Sequence, residues 1–184
     1  KEEYYIQYGM YPTILSVTLR KAIFGDKTDG VDPVLTKKNN IFVCYLDEKN
    51  RLIKRKYIEV KKEICQISPK LRLIINANKN DFVILKFVNS IKWVEYFYAT
   101  LMAGYRLILL DTRASKEATE NFIKETQAVA IICDEENEYS IKKITPSKLQ
   151  EIKGDDSTKT EWANEVVFCS SGTTGKPKLI VYNG

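Results

Sequence analysis

Between residues 82 and 133 the hydrophobic pattern switches repeatedly between a strand period and a helix period. Phe82-Val83-Ile84-Leu85-Lys86-Phe87-Val88 is a nearly unbroken apolar run, the pattern of a strand buried on both faces. Ile91 to Ala103 is apolar on most sides of a helix, with Asn89 or Ser90 to cap its start and Gly104 to end it. Arg106 to Leu110 predicts the next strand. Lys116 to Gln127 predicts an amphipathic helix with Ala118, Phe122 and Ile123 inward, and Ala128 to Cys133 a third strand. Strand, helix, strand, helix, strand with short links means parallel strands covered on both faces. With right-handed crossovers this is a doubly wound, mostly parallel α/β sheet.

The flanking stretches carry weaker patterns. Residues 1 to about 12 are polar and tyrosine-rich, Thr13 to Phe24 has helical spacing up to Gly25, and Asp26 to Pro33 reads as a loop. Ile41 to Leu46 and Leu52 to Ile53 bracket Asp47-Glu48-Lys49-Asn50 as a β-hairpin. Tyr57 to about Ile67 predicts a helix ended by Ser68-Pro69, because the residue before a proline resists the α region. Glu138 to Glu161 is charged, with Pro146 and Gly154, and reads as a short strand (Ile141 to Ile144) followed by an exposed linker. Near the end, Val166-Val167-Phe168 and Leu179 to Tyr182 are two more apolar, β-branched runs, so the polar loop between them joins two strands.

Composition narrows the class. The 184 residues suffice for one domain with a real core, or slightly more, and 44% hydrophobic with 29% charged is ordinary for a soluble globular chain. No run reaches the roughly 18 apolar residues of a membrane span. The start, Lys1-Glu2-Glu3-Tyr4-Tyr5, lacks the apolar core of a signal peptide. A net charge of +5 comes from clusters such as Lys37-Lys38, Lys54-Arg55-Lys56 and Lys61-Lys62. Glu59 and Glu63 intersperse them, so they read as solvated faces and not as a nucleic-acid surface. The chain has no histidine, which excludes Ser-His and Cys-His nucleophile pairs and the mixed zinc sites. Cys44, Cys65, Cys133 and Cys169 lie in apolar runs with no Cys-x-x-Cys spacing, as expected of reduced, buried thiols in a cytoplasmic protein; no metal site is predicted.

Chemistry concentrates in Ser170-Ser171-Gly172-Thr173-Thr174-Gly175-Lys176-Pro177-Lys178. Glycines let backbone amides crowd round an oxyanion without a Cβ in the way. The hydroxyls of Ser170, Ser171, Thr173 and Thr174 can donate to phosphate oxygens or share a bound Mg2+. Lys176 and Lys178 match the charge of a polyphosphate. A chain reversal alone rarely needs so many such groups. The NTPase P-loop requires four residues between its glycines and a helix after Gly-Lys-Ser/Thr. Here two residues separate Gly172 from Gly175 and a strand follows, so amides and side chains of the loop itself would hold the phosphate. Asn89, Asp111 and Asp134, at the carboxyl ends of the predicted strands, lie at the edge where open α/β sheets bind ligands, although capping and turn formation account for them equally well.

Ser170 to Lys178 resembles the phosphate-binding signature of the adenylate-forming (AMP-binding) superfamily: acyl- and aryl-CoA synthetases, adenylation domains of nonribosomal peptide synthetases, and luciferases. Asn78-Lys79-Asn80-Asp81, Phe87-Val88-Asn89-Ser90 and Ala103-Gly104 extend the resemblance over about residues 41 to 184. It departs at Leu179, where the family usually has a small residue. The resemblance implies a flavodoxin-like N-terminal subdomain, preceded by the hairpin and incomplete as a domain. Its parts would be an N-terminal segment (1–40), an α/β core (41–134), a linker (135–165) and the strand, phosphate loop and strand (166–184). It implies an enzyme that uses ATP and Mg2+ to make an acyl-adenylate from a carboxylic acid, releasing pyrophosphate. The acyl group then passes to CoA or to the phosphopantetheine of a carrier protein. It further implies that Ser170, Ser171, Gly172, Thr173, Thr174, Gly175, Lys176 and Lys178 bind the ATP phosphates. No Tyr-Gly-x-Thr-Glu or Thr-Gly-Asp segment of the family is present, so no catalytic residue is expected here and the chain alone should be inactive. A nucleotide-binding regulatory module that keeps the loop without the chemistry is the alternative. A nucleic-acid binder would instead show affinity that falls steeply with salt.

Overall fold

The computed structural model describes residues 41–47, 49–152, 162–170 and 178–183; the helix expected over Thr13 to Phe24 and the loops around it lie outside them. The chain divides into two compact units, Lys1–Glu63 with Gly184, and Ile64–Asn183. In the first, β1 (Ile41–Leu46) and β2 (Leu52–Lys56) pair antiparallel, with Leu46 opposite Leu52 and Tyr45 opposite Ile53. Asp47 builds the turn: its Oδ1 accepts the backbone N–H of Lys49 and of Arg51, both at 2.9 Å. Asn50 supplies the left-handed step, at φ 56°.

Helix α1 runs over Tyr57–Ile75, so the expected stop at Ser68-Pro69 does not occur. A proline inside a helix forfeits one hydrogen bond and costs about 3 kcal/mol. Against this, Val60, Ile64, Ser68, Leu71 and Ile75 form one buried stripe at helical spacing. Ending at Pro69 would forgo burial of Leu71 and Ile75, each contributing about 1.5–3 kcal/mol. The Arg72 guanidinium also donates twice to the Ala103 carbonyl, at 3.2 and 3.1 Å. Packing outweighs the local preference, and the helix ends only at Asn76, at φ 50°.

The second unit holds a six-stranded sheet in the order β6-β5-β3-β4-β7-β8. Its strands are β3 (Phe82–Lys86), β4 (Arg106–Leu109), β5 (Ala130–Cys133), β6 (Lys142–Ile144), β7 (Glu165–Ser170) and β8 (Lys178–Asn183). All neighbours pair parallel except β7 with β8. Helix α2 (Ile91–Met102) joins β3 to β4 on one side; α3 (Lys116–Thr126) then carries the chain back across β3 to β5. Right-handed crossovers in opposite directions put the two helices on opposite faces. The order β4-β3-β5-β6 is the flavodoxin-like one, with its switch point between β3 and β5. One row of core residues, Ile131, Ile84, Ile108 and Val167, crosses the central strands and packs with Phe122 and Ile123 of α3.

The caps follow local chemistry. Ser90 Oγ accepts from the Trp93 amide at 3.2 Å, and Ser115 Oγ from the Ala118 amide at 3.1 Å. A short helix α4 (Pro146–Glu151) occupies part of the stretch read as an exposed linker. Thr145 Oγ1 caps it through the Lys148 amide, Pro146 fits its first turn, and Leu149 is buried. Strand β3 stops at Lys86, short of the expected Val88, and Val88 is exposed.

Candidate phosphate-binding edge

Because β3, β4, β5 and β7 are parallel, their carboxyl ends share one edge of the sheet. The last described residue of β7, Ser170, is the register partner of Lys178, the first of β8. The candidate loop therefore leaves and rejoins the sheet at that edge, between adjacent antiparallel strands, as the apolar runs on either side of it predict. Ser171, Gly172, Thr173, Thr174, Gly175 and Lys176 lie outside the described residues; the strand ends that carry the loop are Ser170 and Lys178. Leu179 stands in regular register opposite Cys169.

On one side of this hairpin lies β4. Its pairing with β7 sets Leu109 opposite Phe168, and the turn that begins at Asp111 follows β4 at the carboxyl edge. Asp111 builds the turn after β4. Its Oδ1 accepts the Arg113 backbone N–H at 2.8 Å, its Oδ2 accepts Arg113 Nη2 at 2.6 Å, and its carbonyl accepts the Ala114 N–H at 3.0 Å. Hydrogen bonds from the Arg113 guanidinium hold the Asp111 carboxyl at a pKa of about 2. Asn89 and Asp134, the other strand-end residues singled out, are both exposed.

The switch point between β3 and β5 is filled by the protein itself. Lys86, only 1% exposed, donates to the Ala114 carbonyl at 2.7 Å and to both Glu135 carboxylate oxygens, at 2.8 and 3.0 Å. Tyr139 lies 3.4 Å from Lys86 Nζ and donates its hydroxyl proton to Glu135 Oε2 at 2.7 Å. Burial alone would lower the Lys86 pKa and raise that of Glu135. Their mutual pairing, with Tyr139 and Asn137 beside it, reverses both, so Lys86 is raised and Glu135 lowered. The sequence reading missed this cluster, whose one signal was a lysine interrupting an apolar strand.

Among the described residues no group of three potential metal ligands is found, and no helix is long and apolar enough to cross a membrane. Cys44, Cys65 and Cys133 are not in disulfides, and burial pushes the Cys133 thiol up.

A model of the family described as AMP-binding enzyme matches residues 36–183, most of the chain. The chain belongs to that family. This confirms the family resemblance. No curated protein sequence matched the chain. Among solved structures, O-succinylbenzoate coenzyme A synthetase (MenE) from Bacillus subtilis, in complex with AMP, superposes with a TM-score of 0.69 at 18% identity. That match covers 80% of this chain and 39% of MenE. The N-terminal subdomain of Klebsiella oxytoca NpsA, in complex with 3-hydroxybenzoyl-AMSN, superposes at 0.63 with 17% identity, covering 71% of this chain and 35% of NpsA. A MenE structure with ATP and magnesium ion superposes at 0.61 with 18% identity, over 70% of this chain and 36% of that one. The family's fold is thus present, over about two fifths of the length of these neighbours.

Proposed function

We propose that this chain forms the phosphate-binding part of an ATP-dependent ligase that activates a carboxylic acid as its acyl-adenylate and releases pyrophosphate. The observation that carries the reading is the hairpin of β7 and β8 at the carboxyl edge, joined by a loop of hydroxyls, glycines and lysines in a member of the AMP-binding family. In such a reaction the carboxylate oxygen attacks the α-phosphorus in line. The protein must position both reactants and neutralise the departing pyrophosphate. The amides around Gly172 to Gly175 and the hydroxyls of Ser171, Thr173 and Thr174 suit the β- and γ-phosphates. Lys178 is the main electrostatic partner and Lys176 the more expendable one. With no acidic cluster among the described residues, the fit is to Mg2+ that arrives on the phosphates and is shared with loop hydroxyls. The acyl acceptor is a thiol, CoA or a carrier-protein phosphopantetheine, and the setting is the cytoplasm, where ATP is supplied.

Isothermal titration of the 184-residue chain with Mg-ATP tests the loop. Binding is expected, weakened about tenfold in Thr174→Ala and Lys178→Ala, as for the loss of one charge-assisted contact. ATP–pyrophosphate exchange across a panel of carboxylic acids, in the product of the same gene carried to its stop codon, tests the chemistry. Acid-dependent exchange supports the ligase. Binding of Mg-ATP with no exchange for any acid would move the reading to a regulatory nucleotide-binding module. The 184-residue chain itself is expected to show no turnover, and acid-dependent release of pyrophosphate by it would refute that part.

A further inference from the structure

We propose that the exposed face of the β1–β2 hairpin is a docking surface for an anionic lipid membrane, on which the chain rests without crossing it. The register assigns six residues to that face. Leu46 stands opposite Leu52, Cys44 opposite Lys54, and a register shift between Ile41 and Val43 sets Ile41 opposite Lys56. Burial alternates in step along β2: Leu52, Lys54 and Lys56 are exposed, while Ile53 and Arg55 are half-buried. Leu46, Leu52 and Ile41 are 62%, 60% and 48% exposed, so the face offers its apolar side chains to its surroundings. The same face carries two lysines and no acid. Glu59 and Glu63, which dilute the basic clusters in the linear sequence, belong to α1, and Glu59 accepts the Lys56 amide at 2.7 Å. In the turn, Lys49 and Arg51 are exposed, and the Asp47 carboxylate is neutralised by Arg51 at 2.7 Å; Glu48 lies outside the described residues. Cations and apolar side chains on one face match a membrane interface. Leucines enter the acyl boundary, and lysines lay their stems along it with their ammonium groups among anionic headgroups. A nucleic acid would engage the lysines and gain nothing from the leucines. The inference uses no residue of the phosphate loop and is independent of the ligase reading.

Co-sedimentation of the 184-residue chain with lipid vesicles tests the proposal. One set of vesicles is phosphatidylcholine with about one third phosphatidylserine, the other phosphatidylcholine alone. The chain should bind the anionic set and not the neutral one, and added salt should weaken the binding. The double variant Lys54→Gln with Lys56→Gln is expected to lose about twentyfold in affinity, roughly fivefold for each lysine at an anionic surface. Leu46→Ser with Leu52→Ser should lose about tenfold through the lost apolar contact. Leu46→Met with Leu52→Met keeps the apolar surface and should bind as wild type does. Lys116→Gln with Lys124→Gln removes two exposed cations from α3 as a control for general charge, and should stay within about twofold of wild type. Urea unfolding of each variant shows that the fold is kept. A wild-type chain that ignores the anionic vesicles, or binds the neutral ones equally well, overturns the proposal. So does an equal loss in the α3 control. Wild-type binding by the serine variant also overturns it, because the face would then be a polyanion site that reads only charge. If the serine variant unfolds, the methionine variant decides: loss of binding in that folded chain overturns the proposal, and retained binding beside the loss in the lysine variant supports it.

Discussion

The two flanks of the sheet are built on opposite plans. On the β5–β6 side three lysines are tied back into the protein. Lys86 is buried against Glu135, Lys142 donates to the Ile74 carbonyl at the end of α1 at 2.7 Å, and Lys143 reaches the Asn137 carbonyl at 3.0 Å and Glu138 at 2.9 Å. The edge strand β6 has three residues, two of them lysines, the usual protection of an edge against further pairing. On the β7–β8 side the edge strand has six residues, and the adjacent Ile180 and Val181 are 42% and 52% exposed. Arg113 faces solvent there as well. One flank is closed by chemistry that the protein completes internally. The other presents charge and apolar surface to whatever approaches.

The sharpest way to break this contrast is at Lys86. Lys86→Met leaves Glu135 without its cation in a largely buried position, and such losses cost about 3–5 kcal/mol. Glu135 keeps a fifth of its side chain exposed (21%), so the expected loss lies at the low end, read by urea unfolding. A change within the error of the measurement would mean that the cluster does not hold the closed flank.

A second test exchanges the edges. Lys142→Val removes the exposed guard from β6 and is expected to cause concentration-dependent association in sedimentation velocity. Val181→Lys adds a guard to β8, should reduce any association of the parent chain, and should shift stability by no more than about 0.5 kcal/mol. Identical sedimentation of all three chains would show that edge protection does not distinguish the flanks.

The smallest expected effect is on pH. The folded-state pKa of Glu135 is lowered from 4.5, so its contribution to stability is present above that value and fades as pH falls through the folded value. Stability of the parent should therefore drop more steeply below pH 4.5 than that of Glu135→Gln, whose curve lacks this component. Parallel curves would remove Glu135 from the account.

The readable parts of the molecule are those whose signals are local. The unbroken apolar runs at Val83–Leu85 and Ala130–Cys133 and the amphipathic period of residues 116–126 declare strands and helix within their own few residues. The same holds for β7 and β8, the two strands that flank the candidate loop. Pro69 misleads because its cost is local while the burial of Leu71 and Ile75 that outweighs it is tertiary. Helix α4 had a local signal, Thr145 followed by Pro146, hidden in a stretch whose charge suggested a linker. The Lys86–Glu135 pair joins residues 49 apart, and only the strand order brings them together.

That strand order has a kinetic consequence. Contacts between β3 and the end of β5 already span separations such as the 49 residues between Lys86 and Glu135, and Arg106 on β4 meets Glu165 on β7 across 59. During synthesis from the N-terminus, β3, β4 and β5 exist and can pair before β7 has been made. The strands that carry the candidate loop are therefore added after β3, β4 and β5, onto a platform that can already be set.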